Sequence, residues 1–428
     1  MAVQRTPEQE AVVKNRGGAL LVSAAAGSGK TRVLVERLLD RILNEGKNID
    51  QFLIITFTRA AAEELRARIA GELAEALRAQ PDNTHLRRQT VLVYKAQIST
   101  IHAFCTVLLR QWGHLLDLPA DFALCEDEDS AVLMKRTLDR VLEARYEEVD
   151  PEGTFAALLD VLTAGRDDSR LMDIVLDVFG KIQSDADPLC WLEEQRKTLD
   201  LSGVTDVGQT PWGALLLEDA AQTAAYWAGQ MEKALDLARR DEALEHAYGD
   251  SLSVTASCLR SLADAAGESW DAASGLSVEF PKFKGARGVQ DHEAQEQIKA
   301  IRTRCKKAVE SLTASLSGTS SDLLSDLALV APAMEGLIDL VEDFSAAYTQ
   351  EKSKRSLLDF SDMEHYAVKL LVAPDGTPTE VARQWGSQYA EIMVDEYQDT
   401  NQVQNAIFNA LSDQGRNLFM VGDVKQSI

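Results

Sequence analysis

The chain has 428 residues, 45% of them hydrophobic and 26% charged, with 68 Asp+Glu against 44 Lys+Arg for a net charge of −24. This is ordinary globular composition, of a length for two or three domains, and it excludes disordered and collagen-like classes. No apolar run is long enough for a transmembrane helix, residues 1–10 hold no apolar leader core, and the five cysteines (Cys105, Cys125, Cys190, Cys258, Cys305) are far apart with no CxxC; a disulfide framework or zinc cluster is not expected, and a cytoplasmic location is.

In chain order, an apolar run at Ala19–Ser23 reads as a buried strand, followed by a Gly-rich turn and a helix from about Lys30 to Leu43. Phe52–Thr56 reads as a strand leading into a helix from about Ala60 to Arg78. Gln97–Ser99 is a third strand, leading into a helix through Trp112. Strands alternating with helices imply a parallel sheet covered on both faces. From Leu118 to Tyr348 helical spacing takes over, as in Leu133, Leu138, Val141 and Leu142, broken by loops such as Asp200–Gln209 and Pro281–Gly288. Strand signals return at Ile392–Val394 and Leu418–Val421. The expected organisation is an α/β domain formed by 1–117 and 349–428, interrupted by a mostly helical insertion over 118–348, with the end at Ile428 suggesting part of a longer protein.

Charge follows the same division. Residues 1–120 hold 16 Lys+Arg and 12 Asp+Glu, whereas 121–345 hold 21 and 44. An anionic ligand is therefore expected on the first segment rather than the middle one.

The strongest chemical signal is Ala24-Ala25-Ala26-Gly27-Ser28-Gly29-Lys30-Thr31, with Arg32 following, between a strand and a helix. Gly27 and Gly29 let the backbone curl so that N–H groups meet phosphate oxygens at a helix N-terminus. Lys30 suits the β/γ-phosphates of ATP, and the Thr31 hydroxyl suits Mg²⁺. Ala24 stands where the usual pattern has glycine. The second signal is Ile392-Met-Val-Asp395-Glu396-Tyr-Gln398-Asp399, a short strand ending in two acids at a sheet's C-terminal edge. Asp395 suits Mg²⁺ and Glu396 suits orienting or deprotonating a water.

These two motifs, together with Gly422-Asp423-Val-Lys-Gln426-Ser-Ile428, resemble those of superfamily 1 helicases of the UvrD/Rep/RecB group. Thr6-Pro-Glu-Gln9 resembles its Q motif, which implies that Gln9 reads adenine. Thr56-Phe57-Thr58-Arg59 and Ser99-Thr100-Ile-His102-Ala-Phe104 resemble its DNA-contacting motifs, and Leu358-Asp-Phe360-Ser-Asp362-Met-Glu resembles a segment shortly before the Asp-Glu motif. Gln426 matches the glutamine that senses the γ-phosphate. Within the group the wording is most similar to the AddA helicase–nucleases.

The resemblance implies a RecA-like P-loop NTPase fold and an ATP- and Mg²⁺-dependent 3′-5′ DNA helicase with a nuclease domain, acting on DNA ends beside an AddB-like partner in break repair. It implies a second motor domain whose arginines serve the γ-phosphate, so slow hydrolysis and weak single-strand binding are expected of this stretch alone. A UvrD/Rep-type repair helicase without nuclease, and a non-hydrolysing nucleotide- and DNA-binding module, are the alternatives. Single-stranded DNA is expected near Phe57, Thr58, Arg59, Thr100 and His102. Read without the resemblance, Phe57 is better taken as a core residue, Arg59 as a surface charge and His102 as a helix cap. The basic run Lys299–Lys307 reads as a solvated face, and Trp191, Trp212, Trp227 and Trp270 as helical core.

Overall fold

The structure is a computed structural model that describes residues 5–24, 29–162 and 169–423. In chain order the first elements are α1 (Pro7–Lys14), β1 (Gly18–Ser23), α2 (Lys30–Glu45), β2 (Phe52–Thr56), α3 (Arg59–Ala79), α4 (Thr84–Leu92), β3 (Gln97–Thr100) and α5 (Ile101–Trp112). The middle contains β4 (Ala123–Leu124), α6 (Asp127–Glu147), α7 (Thr154–Leu162), α8 (Ser169–Ile182), α9 (Pro188–Thr198), α10 (Pro211–Ala238), α11 (Glu242–Ala266), α12 (Trp270–Ser274), α13 (His292–Ser315) and α14 (Ser320–Lys354). The last elements are β5 (Leu357–Leu358), α15 (Phe360–Leu371), α16 (Glu380–Gly386), β6 (Glu391–Val394), α17 (Gln402–Leu411) and β7 (Asn417–Gly422). Contacts divide the chain into two compact units: Met1–Glu148 with Arg166–Trp191 and Asp339–Ile428, and Val149–Gly165 with Leu192–Ile338.

The first unit is built on a five-stranded parallel sheet of order β1-β7-β6-β2-β3. Strand alternation splits its apolar residues between two cores. Leu53, Ile55, Ile392, Val394, Leu418 and Met420 face the layer holding Phe104, Met363, Trp385 and Phe408. Phe52, Ile54, Met393, Phe419 and Val421 face the other, with Leu34, Leu38, Leu65 and Ile69. A sheet buried on both faces explains why its strands read as continuous apolar runs. The run at Ala19–Ser23 departs from that expectation: β1 stands at the sheet edge, and its Leu21 is 54% exposed.

Because the strands are parallel, their C-terminal ends share one edge, where the junctions into α2, α3 and α5 converge. At the opposite end Arg37 of α2 donates to both carboxylate oxygens of Glu391, at 2.7 and 3.1 Å, with both residues almost wholly buried. Arg41 shares the same carboxylate at 3.1 Å. This ion pair fastens α2 to the start of β6.

The second unit is helical. Small residues on α10 (Ala220, Ala224, Ala228, Ala234) and α11 (Ala247, Ala256) are buried in its core beside Met231, Leu259 and the fully enclosed Trp270. Trp212 meets Trp270 edge to face at 6.3 Å, and Trp227 is partly buried against the same core. Trp191 departs from the expectation: it falls in the first unit and is 37% exposed. In the basic run, Lys299 pairs with Glu296 and Lys306 with Glu310. Arg302 instead lies over the rings of Phe280 and Phe283 and donates to the carbonyls of Phe280 and Pro281.

Candidate functional site

At the C-terminal edge of the sheet the backbone leaves β1 with Ala24 N–H bonded to the Gly422 carbonyl of β7 at 3.0 Å. Ala25, Ala26, Gly27, Ser28 and Gln426 lie outside the described residues. Gly29 adopts φ +87°, a left-handed turn that glycine enters without steric cost, and α2 begins at the next residue. Lys30 is therefore the first residue of a helix whose terminal N–H groups lack intrahelical partners. Its ammonium is buried and has no hydrogen-bond partner among the described residues; the nearest carboxylate oxygen, from Glu396, is 3.6 Å away. A buried ammonium left in this state is costly unless an anion completes its surroundings.

Thr31 points its hydroxyl at Asp395, 3.3 Å from Oδ2. Asp395 follows β6, and its N–H is fixed by the Ile55 carbonyl at 3.0 Å. Burial and the adjacent Glu396 charge push the Asp395 carboxyl above its usual range. Glu396 takes φ +53°, in the left-handed region that costs a residue with a Cβ of order 1–2 kcal/mol. The turn aims its side chain at Lys30 while its N–H donates to Asp395 Oδ1 at 3.1 Å. Gln398 holds the carboxylate, donating to Glu396 Oε2 at 2.8 Å, and its own oxygen accepts from Asp423 N at 2.9 Å. A Cβ on Gly422 would come within 2.9 Å of that oxygen and 3.2 Å of the Gln398 backbone nitrogen, so a larger residue there would push the Gln398 side chain from this position. Thr31, Asp395, Glu396 and Gln398 line one cavity of about 520 Å³.

Two hard oxygen donors in contact, with an acid held nearby, fit a Mg²⁺ ion that takes one or two protein ligands and completes its shell with phosphate and water. The orphaned Lys30 ammonium at a helix N-terminus fits a polyphosphate.

Gln9 sits beside this loop: a Cβ on Gly29 would lie 3.9 Å from its amide nitrogen. Its side-chain oxygen accepts from Thr6 N, completing a capping box on α1. Arg32 pairs with Glu36 at 2.6 Å.

A separate groove of about 490 Å³ is lined by Phe57, Arg59, Thr100, His102 and Phe360, with Glu126, Asp127 and Glu128 on one wall. Phe57 is 64% exposed, which removes the core reading. The cap of α5 is Thr100, whose hydroxyl accepts from Ala103 N at 3.3 Å, so His102 is free of that duty. Its Nε2 instead lies 3.0 Å from Glu364 Oε1. Thr58 caps α3 through Ala61 N and lines the cavity of Thr31 and Asp395 rather than the groove. Phe57 borders both cavities.

The sequence profile of the UvrD/REP helicase N-terminal domain matches residues 5–428. The chain belongs to that family. Relatives named as the first of the ATP-dependent helicase/nuclease subunits are similar over nearly all of it. The protein from Heliobacterium modesticaldum is 37% identical over 99% of the chain, that from Acetivibrio thermocellus 34% over 99%, and that from Listeria monocytogenes 33% over 99%. The chain spans about a third of the length of these relatives, 32–35% in the three cases.

Within this UvrD/REP helicase domain, sequence reasoning names neither Gln398 nor Glu364 as a site residue. The Asp-Glu-Tyr-Gln spacing holds a signal for the first: a residue two after Glu396 in a tight turn can reach back to it. Glu364 has its signal four residues after Phe360 on a helix, which puts both on one face.

Proposed function

We propose that the sheet edge is an ATP–Mg²⁺ site and the groove a single-stranded DNA site, and that residues 1–117 and 349–428 form the first motor domain of a longer helicase, with 118–348 as its accessory insertion. Gln9 would serve the adenine. Ala24 to Gly29, with Lys30, Thr31 and Arg32, would embrace the phosphates, and Gln426 would sense the last of them. Thr31 and Asp395 would hold Mg²⁺, which supplies charge neutralisation to the phosphates. Glu396 would orient a water and take its proton, with Gln398 fixing the carboxylate that receives it.

In the groove, Phe57 offers a stacking face and Arg59 and Thr100 suit a phosphate, while the acidic wall favours keeping phosphates on the Arg59 side. The whole protein, on this reading, is an AddA-like cytoplasmic 3′-5′ helicase and nuclease that processes broken DNA ends with an AddB-like partner; the names of the relatives favour this over a nuclease-free repair helicase.

The buried Lys30 ammonium, without a hydrogen-bond partner among the described residues, carries the nucleotide reading. Calorimetric titration with Mg-ATP tests it. Lys30→Ala should weaken binding by at least about a hundredfold, the loss of charge-assisted hydrogen bonds to a polyphosphate. Unchanged affinity would reject the site.

A further inference from the structure

We infer that Glu364 is a positioning residue that fixes the His102 imidazole in the groove and ties it to the segment following Asp395 and Glu396. The inference rests on reading the groove as the strand site.

Glu364 is 4% exposed. A carboxylate so placed is costly unless donors surround it, and an amide would fill the space at lower cost. Its partners are side chains from two other helices. Oε1 accepts from Gln404 Nε2 at 2.8 Å and lies 3.0 Å from His102 Nε2, and Oε2 lies 3.5 Å from Asn401 Nδ2. A carboxylate can only accept, so this contact favours a proton on Nε2 of His102. The Phe360 ring lies 4.7 Å from the imidazole, tilted by 51°. Phe360 and Glu364 are one turn apart on the same face of α15, and together they bracket the histidine.

The bracket is itself anchored. Asp359 and Asp362 form the capping box of α15, and the buried Lys352 ammonium binds them at 2.7 and 2.6 Å. On the other side, Asn401 caps α17 by accepting from Gln404 N at 2.8 Å. It stands two residues after the turn Tyr397–Asp399, whose Gln398 grips Glu396. Polar contacts and one short turn thus run from Glu396 to His102, and Glu364 is the joint between them.

The test is a double-mutant cycle read by fluorescence anisotropy of labelled oligo-dT, with thermal melts as a check on folding. Glu364→Ala and His102→Ala should each weaken binding about tenfold, and the double variant should be no weaker than either single one. Glu364→Gln, whose amide oxygen still accepts from Nε2, should recover part of the loss. Additive losses in the double variant, or wild-type binding by Glu364→Ala when His102→Ala is impaired, would overturn the inference. Wild-type binding by His102→Ala would reject the groove assignment itself, and the inference with it.

Discussion

In the sheet-bearing unit, one edge brings together an ammonium with no hydrogen bond among the described residues, a glutamate in a left-handed turn and an aspartate held above its usual titration range. In the helical unit the following charges are partnered instead. Asp241 accepts four backbone N–H groups and is held below the usual carboxylate range by them. Lys299, Lys306 and Arg260 pair with exposed acids. The difference teaches that the surroundings of a charge say more about an anion site than its sign alone. What matters is where a charge is kept from its partners by the fold, because such positions persist only when the surrounding structure enforces them.

The comparison can be broken by substitutions matched across the two units. The largest effect is expected at Arg37→Ala, which leaves Glu391 buried with the partial help of Arg41; about 3–5 kcal/mol of stability should be lost in urea unfolding. Its counterpart in the helical unit, Arg260→Ala, removes an exposed pair and should cost no more than about 1 kcal/mol. Similar costs for the two would end the contrast. Next is Glu396→Gly, which should gain about 1 kcal/mol by relieving the left-handed backbone while abolishing ATP hydrolysis. A loss of stability would mean that the Glu396 side-chain contacts outweigh the turn.

The smallest effect concerns pH. The native Asp395 carboxyl titrates above its unfolded value, so the stability tied to its protonated form is complete below the unfolded value and is lost as pH rises through the native one. Asp395→Asn should therefore raise the melting temperature at neutral pH, and the gain should shrink as the medium is acidified. A gain that grew toward acid would contradict the assignment.

Much of the candidate site could be placed from sequence because its residues sit at strand–helix junctions, where short apolar runs meet Gly29-Lys30-Thr31, Asp395-Glu396 and Thr100. The strand Phe52–Thr56 was legible to the residue, being buried on both faces. The edge position of β1 was not, since an apolar run is the same whether its strand is central or outermost. Helices α1 and α4 are too short and too polar to announce themselves by periodicity. The Arg37–Glu391 pair joins residues 354 positions apart, and only the strand order brings them together. Likewise the run Lys299–Lys307 gives no hint that Arg302 alone turns inward beneath two phenylalanines.

The central claim is that Lys30 is held ready for a phosphate. A crystal structure of the chain with ADP and Mg²⁺ tests it most directly. The account expects a β-phosphate oxygen within about 3 Å of Lys30 Nζ, the ordinary length of a charge-assisted hydrogen bond, with Mg²⁺ reached by Thr31 and Asp395. A nucleotide bound elsewhere, or bound here with Lys30 Nζ still facing Glu396 alone, would contradict it.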